Sequence, residues 1–164
     1  MEPEEAELNS EDKGETGNVM LGVLTDSLGF TLRLAQIKAF DDYFRSFQDI
    51  GLSPGTISVL TIIGANPGIR QGMLAKRLRI KPANMTKTIR ALEEDDLVER
   101  VVPDDDRRAL ELSLSAKGRS LAETFAERSL RHELDSCAPL TADEREELMR
   151  LLAKYVGHST GEAG

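Results

Sequence analysis

Leu110, Leu112 and Leu114 alternate with Glu111 and Ser113, whereas the other apolar side chains of this sequence recur at spacings of three and four. A period of two puts alternate side chains on opposite faces of a strand, and spacings of three and four put them on one face of a helix. This switch of period constrains the fold more than any other feature. The chain reads as helical, with one short β segment set between helices. Leu97–Val102 reads as the partner strand, and Pro103-Asp104-Asp105-Asp106-Arg107-Arg108 as the turn that joins the two.

Upstream of this hairpin the punctuation is regular. Ser53-Pro54 reads as a helix start, with Ser capping free N–H groups and Pro in the first turn, and that helix is expected to stop at Gly64. Asn66-Pro67-Gly68 reads as a turn. A short helix follows over residues 71–78 with Leu74, Ala75 and Leu78 inward, then a break at Arg79-Ile80-Lys81-Pro82. The next helix, 82–95, buries Met85, Ile89 and Leu92, spaced i, i+4, i+7. Two short helices, a tight turn and a following hairpin form the pattern of a helix-turn-helix with a wing.

Long helices flank this unit. Residues 19–48 carry Leu24, Leu28, Leu32, Ala35, Phe40, Phe44 and Phe47 near helical spacing, in one helix or in two with a bend near Gly29. Ser115 starts a helix reaching about Cys137 with Leu121, Phe125, Leu130 and Leu134 on its apolar side, and Pro139 ends it. Thr141 and Glu144 have capping-box spacing ahead of a last helix with Leu148, Leu151, Leu152, Tyr155 and Val156. These flanking helices hold more large apolar side chains than a small helix-turn-helix domain buries, so a second copy of the chain is the expected partner.

The charge is unevenly spread. Over 164 residues, 21 Lys+Arg face 29 Asp+Glu, a net −8, which taken whole speaks against a polyanionic partner. Residues 1–18 contain seven acids (Glu2, Glu4, Glu5, Glu7, Glu11, Asp12, Glu15) against Lys13, a net −6 with almost no bulky apolar side chains, and read as a disordered tail. The remainder is −2. Between Asp49 and Glu93 there is no acid at all, and Arg70, Lys76, Arg77, Arg79, Lys81, Lys87 and Arg90 lie in that window. The basic character is local and falls on the helix-turn-helix.

Other classes find little support. One Cys permits no internal disulfide or zinc cluster, and two His, at 132 and 158, make no metal site. No metal and no cofactor are expected. There is no GxSxG, HExxH, P-loop or GxGxxG, so no enzyme is expected. No apolar run reaches the roughly 18–20 residues of a membrane span, and the acidic start is unlike a signal peptide, so a cytoplasmic protein is expected. Aromatics are 4% with no Trp, which suits a helical core of Leu, Ile, Val and Ala.

The residues resemble the MarR family of bacterial winged helix-turn-helix regulators. The likeness runs along Leu74-Ala75-Lys76-Arg77-Leu78-Arg79-Ile80, Pro82-Ala83-Asn84-Met85-Thr86-Lys87, Leu92-Glu93-Glu94, Leu97-Val98-Glu99-Arg100, Asp106-Arg107-Arg108-Ala109 and Leu114-Ser115-Ala116-Lys117-Gly118, and covers about residues 20–157. Two positions depart from the family pattern. Asp96 stands where the family has Gly, a site for a left-handed helix cap that Asp tolerates better than most residues. Arg70 stands where Ser or Thr opens the first short helix, which replaces a neutral cap by a cation near phosphate height.

The resemblance implies a mainly α winged helix-turn-helix protein and an obligate dimer with interlocking terminal helices. The expected organisation is a disordered acidic tail (1–18), a helical dimerisation domain (19–50 and 116–158) and a winged helix-turn-helix domain (51–115). It implies a repressor that binds a pseudo-palindromic double-stranded DNA operator and is released by a small-molecule effector. Ala83, Asn84, Thr86, Lys87 and Arg90 occupy the outer side of the recognition helix, where Asn and Thr can bond base edges and Lys can reach guanine or phosphate. Arg70, Lys76, Arg77, Arg79 and Lys81 read as backbone-positioning contacts. Arg108 sits where the family inserts an Arg into the minor groove, with Asp106 available to pair Arg107 or Arg108.

The resemblance also implies an effector pocket between the dimer helices and the DNA-binding lobe. Arg33, Phe40, Tyr43, Phe44 and Phe47 are the candidate lining, although helical spacing equally fits the aromatics to core packing. Ser27–Arg33 is faintly similar to relatives controlling the catabolism of aromatic acids or their CoA thioesters, which points to an aromatic or acyl effector. Two alternatives stay open: redox sensing through Cys137, which has no resolving partner in the chain, and a protein-interaction module that works through the acidic tail.

Overall fold

The computed structural model describes residues 19–101 and 111–157. The expected acidic tail and the wing tip, with Asp106, Arg107 and Arg108, lie outside the described residues. The chain divides into two compact units, Met1–Lys38 and Ala39–Gly164.

In the first unit a 3₁₀ turn, Gly22–Asp26, precedes α1 (Leu28–Phe47), which continues past the division. Ser27 starts α1, its Oγ accepting from the Phe30 N–H at 3.2 Å. Of the two readings of residues 19–48, the interrupted one holds. The break falls at Ser27, the capping residue, while Gly29 lies inside the first turn of α1.

The second unit runs α2 (Pro54–Ala65), β1 (Ile69–Arg70), α3 (Gln71–Arg77), α4 (Pro82–Glu94), β2 (Val98–Val101), β3 (Glu111–Leu114), α5 (Ala116–Ser136) and α6 (Ala142–Val156). The helix starts obey capping chemistry. Ser53 accepts from the Thr56 N–H at 3.2 Å with Pro54 in the first turn. Ser115 accepts from the Gly118 N–H at 2.9 Å. Thr141 and Glu144 form the reciprocal capping box, and those bonds hold the Glu144 carboxyl below its ordinary range.

Among the described residues the β structure has three strands, where the periodicity gives a two-strand hairpin. The sheet order is β1-β3-β2, all antiparallel, with Ile69 opposite Leu112 and Arg100 opposite Leu112 on the other side. A two-residue strand shows no period, so β1 leaves no pattern to read.

The core forms where these elements meet. Val59, Leu60, Ile63, Leu74, Met85, Ile89 and Leu112 are 0% exposed, and burial of each contributes about 1.5–3 kcal/mol. Met85, Ile89 and Leu92 form the buried stripe of α4 that the sequence spacing predicts. The end of α1 adds Tyr43 and Phe47, whose rings lie 5.0 Å apart. The Tyr43 hydroxyl donates to Leu52 O at 2.9 Å, and burial pushes its phenol up.

Both helices of the helix-turn-helix end in the same motif. After α3, Ile80 N–H reaches Ala75 O at 2.9 Å and Arg79 N–H reaches Lys76 O at 3.2 Å. After α4, Leu97 N–H reaches Leu92 O at 2.8 Å and Asp96 N–H reaches Glu93 O at 3.0 Å. This is the Schellman pattern, which requires a left-handed residue usually supplied by Gly. Here Arg79 (φ 53°) and Asp96 (φ 57°) take it.

Large apolar side chains are unevenly covered. On α5, Leu130 and Leu134 are exposed, and on α6 so are Leu148, Met149, Leu151, Tyr155 and Val156; α6 buries none of its residues. The first unit exposes Val19, Met20, Leu21, Val23, Leu24, Leu28, Leu34 and Ile37.

Candidate nucleic-acid interface

The amphipathic pattern of α4 fixes what its outer side presents. With Met85, Ile89 and Leu92 turned into the core, Ala83, Asn84, Thr86, Lys87 and Arg90 are exposed. Lys81 and Pro82 open the helix with no side-chain cap and no acid in the first turn, so free backbone N–H groups and a cation stand together there. Arg70, Lys76, Arg77, Arg79 and Lys81 are exposed as well. The acids Glu93, Glu94, Asp95 and Asp96 gather at the opposite end of α4.

The side chains of this face differ in their commitments. The Thr86 hydroxyl accepts from Gln71 Nε2 at 2.8 Å and donates to Pro82 O at 3.0 Å, which ties α3 to α4. Arg90 pairs with Glu94 at 2.9 Å across one turn. Arg79 donates to Val156 O, at the end of α6, at 3.3 Å. For Lys87, Lys76 and Lys81 the described residues supply no ion pair. The least committed cations therefore lie on α4, at the end of α3 and in the turn between them.

The far end of α4 is anchored. Arg100 on β2 pairs with Glu93 at 2.6 Å. The first turn of α5 holds the residues after α4: Ser115 Oγ donates to Asp96 O at 2.6 Å, Ser115 N–H to Leu97 O at 3.1 Å and Lys117 Nζ to Asp95 O at 2.6 Å. Gly118 packs so close to Leu97 that a Cβ would overlap its carbonyl, which gives this glycine a steric reason.

A cavity of about 570 Å³ lies between α2, β3 and α5, lined among others by Thr61, Ile63, Leu114, Arg119, Glu123 and Phe125. None of the five sequence-derived effector candidates lines it. Tyr43 and Phe47 are 6% and 1% exposed and pack in the core, Phe47 also lining a second pocket with Arg128 and His132, while Phe40 and Phe44 stand exposed on α1 and Arg33 belongs to the first unit. Sequence reasoning passed over the cavity because its polar residues come from three distant segments, and only the Arg119–Glu123 spacing on α5 hints at a shared face. Cys137, capping the end of α5, is half-buried with Sγ 3.8 Å from a Glu133 carboxylate oxygen. Among the described residues no helix is long and apolar enough to cross a membrane, and no cluster fits a metal ion.

Comparison with known proteins gives a consistent result. The profile of the MarR family matches residues 52–110. The protein named for transcriptional regulation of the hcr operon in Thauera aromatica is 31% identical over 134 residues, 81% of each chain. The solved structure of the transcriptional repressor CouR bound to a 23-mer DNA duplex is similar with TM-score 0.79 and 32% identity, covering 84% of this chain and 98% of that one. CouR bound to p-coumaroyl-CoA is similar with TM-score 0.77 and 30% identity, covering 84% and 97%. With its helix-turn-helix, its three-stranded winged sheet and these likenesses together, the chain belongs to the MarR family of winged helix-turn-helix transcriptional regulators.

Proposed function

We propose that this chain is a cytoplasmic, ligand-responsive repressor that binds a pseudo-palindromic DNA operator as a homodimer and is released by a small aromatic or acyl effector. The observation that carries the reading is the basic face of α3 and the first turns of α4, with Asn84 and Lys87 exposed on the outer side of a helix whose inner side is fully buried. Cations of that kind fix register on phosphates, and Asn and Lys edges read bases. The duplex-bound and p-coumaroyl-CoA-bound states of CouR support both halves of the reading. Residues 51–115 form the DNA-binding domain, and residues 19–50 with 116–158 the dimerisation domain. A second copy covers the exposed apolar side chains of α1, α5 and α6, and the pair presents two recognition helices to two half-sites. The cavity between α2, β3 and α5 is the effector site, since its size suits a small ligand.

The test is a fluorescence-anisotropy titration of the full chain on the DNA upstream of its own gene across a salt series. Saturable binding that weakens steeply with salt is expected. Arg108→Ala is expected to weaken it with little change in melting temperature, as an Arg in a minor groove requires. Binding indifferent to both salt and sequence defeats the reading.

A further inference from the structure

Thr86 carries a commitment that changes what it can offer to a base. Its hydroxyl donates its single hydrogen to Pro82 O at 3.0 Å and accepts from Gln71 Nε2 at 2.8 Å. Guanine N7 and O6, adenine N7 and thymine O4 are all acceptors, and they make up most of the polar positions of the major groove. A hydroxyl with no free hydrogen has nothing to give them. The side chain is nonetheless exposed, on the same outer side as Ala83, Asn84 and Lys87. The group that Thr86 has left to present is its methyl, and the apolar mark of the major groove is the thymine 5-methyl.

Gln71 decides where that methyl stands. It is the first residue of α3, directly after β1, so it reaches α4 from a separate element. A helical Thr divides between two χ1 states, because its hydroxyl finds a carbonyl about one turn back in its own helix. A donor fixed on another helix singles out one of them. Thr88, the next hydroxyl along α4, bonds back within its own helix, to Asn84 O at 3.1 Å. The brace from α3 thus falls on the Thr that faces outward.

We propose that Gln71 is a positioning residue for operator reading: it holds the Thr86 hydroxyl between α3 and the α4 backbone, so that the Thr86 methyl meets the 5-methyl of a thymine. Thr86 then reads by apolar contact, not by the hydrogen bond that its residue type suggests. The inference rests on α4 as the helix that reads the operator.

The test selects a preferred site for the full chain from a random 20-bp duplex pool, then replaces each thymine of that site by deoxyuridine, which removes the methyl alone. One thymine per half-site is expected at which the replacement weakens binding about fourfold, the worth of one buried methyl. Thr86→Ser is expected to lose that discrimination. Thr86→Val, isosteric and stiff at χ1 in a helix, is expected to keep it. Gln71→Ala is expected to lower it towards one without moving the melting temperature, and the double variant Gln71→Ala with Thr86→Val to restore it, since Val needs no brace.

A selected site with no thymine sensitive to deoxyuridine overturns the methyl readout and leaves the regulatory reading standing. Discrimination kept by Thr86→Ser and lost by Thr86→Val assigns the reading to the hydroxyl and overturns it as well. Discrimination unchanged in Gln71→Ala, or not restored in the double variant, overturns the positioning role. A chain that selects no sequence from the pool overturns the regulatory reading, and the readout with it.

Discussion

The helix-turn-helix with its sheet and the terminal helices follow the same amphipathic logic but end in different states. In α4 the apolar stripe of Met85, Ile89 and Leu92 is at most 1% exposed. In α6 the equivalent stripe leaves Leu148 at 43% and Leu151 at 47% exposed. The difference is one of available partners. Around α4, α2, α3 and the sheet close on this stripe, whereas among the described residues nothing buries the side chains of α6. An amphipathic helix specifies that it must be covered, not by what. One region is thus complete in a single copy, and the other leaves its apolar stripe exposed.

Four substitutions break or sharpen this contrast, and the largest effect belongs to the closed region. Ile89→Ala, at a 0% exposed site, is expected to lose about 2–5 kcal/mol of stability in denaturant unfolding; a loss under 1 kcal/mol contradicts a closed core. Leu151→Glu on the open face is expected to convert the dimer to a monomer, read as a halved mass by light scattering, and an unchanged dimer places the interface elsewhere. Lys87→Ala is expected to weaken DNA binding and lower the salt slope by about 1 without moving the melting temperature. An unaltered slope points to base contact or none.

The smallest effect concerns the seam between α1 and α5. Arg128 binds Asp49 through two hydrogen bonds of 2.6 and 2.9 Å, and they hold the Asp49 carboxyl below the usual carboxylate range. A carboxyl whose folded pKa is depressed stabilises the fold above its unfolded pKa, and that contribution fades as pH falls through the folded one. Wild type is therefore expected to exceed Asp49→Asn slightly in melting temperature at pH 7, with the gap closing below about pH 4. A gap that persists into strong acid removes the ion pair as its cause.

Much of the fold was legible because local chemistry settles it. Ser53, Ser115 and the Thr141–Glu144 box mark helix starts that the structure keeps. Asp96, read as a left-handed position from the family's Gly, has φ 57°. Arg79 shares that conformation and went unread, because nothing in a cationic side chain announces a cap. The exposed face of α4 was legible from its spacing. What those side chains hold was not: the bond of Arg90 to Glu94, one turn on, depends on rotamers, and those of Thr86 to Gln71 and of Arg79 to Val156 depend on partners further away in sequence. The cavity was illegible for the same reason, since α2, β3 and α5 meet only in the fold.

The two-residue strand β1 has a consequence for how the domain assembles and comes apart. It precedes α3 in the chain yet pairs with β3, beyond α4 and β2. The loop it closes therefore encloses both helices of the DNA-reading motif. Closing so long a loop is entropically costly and rewards the chain only when α3, α4 and the hairpin have already converged. The wing is thus the clasp of the loop that contains the helices, and heat should open clasp and helices in one transition rather than two.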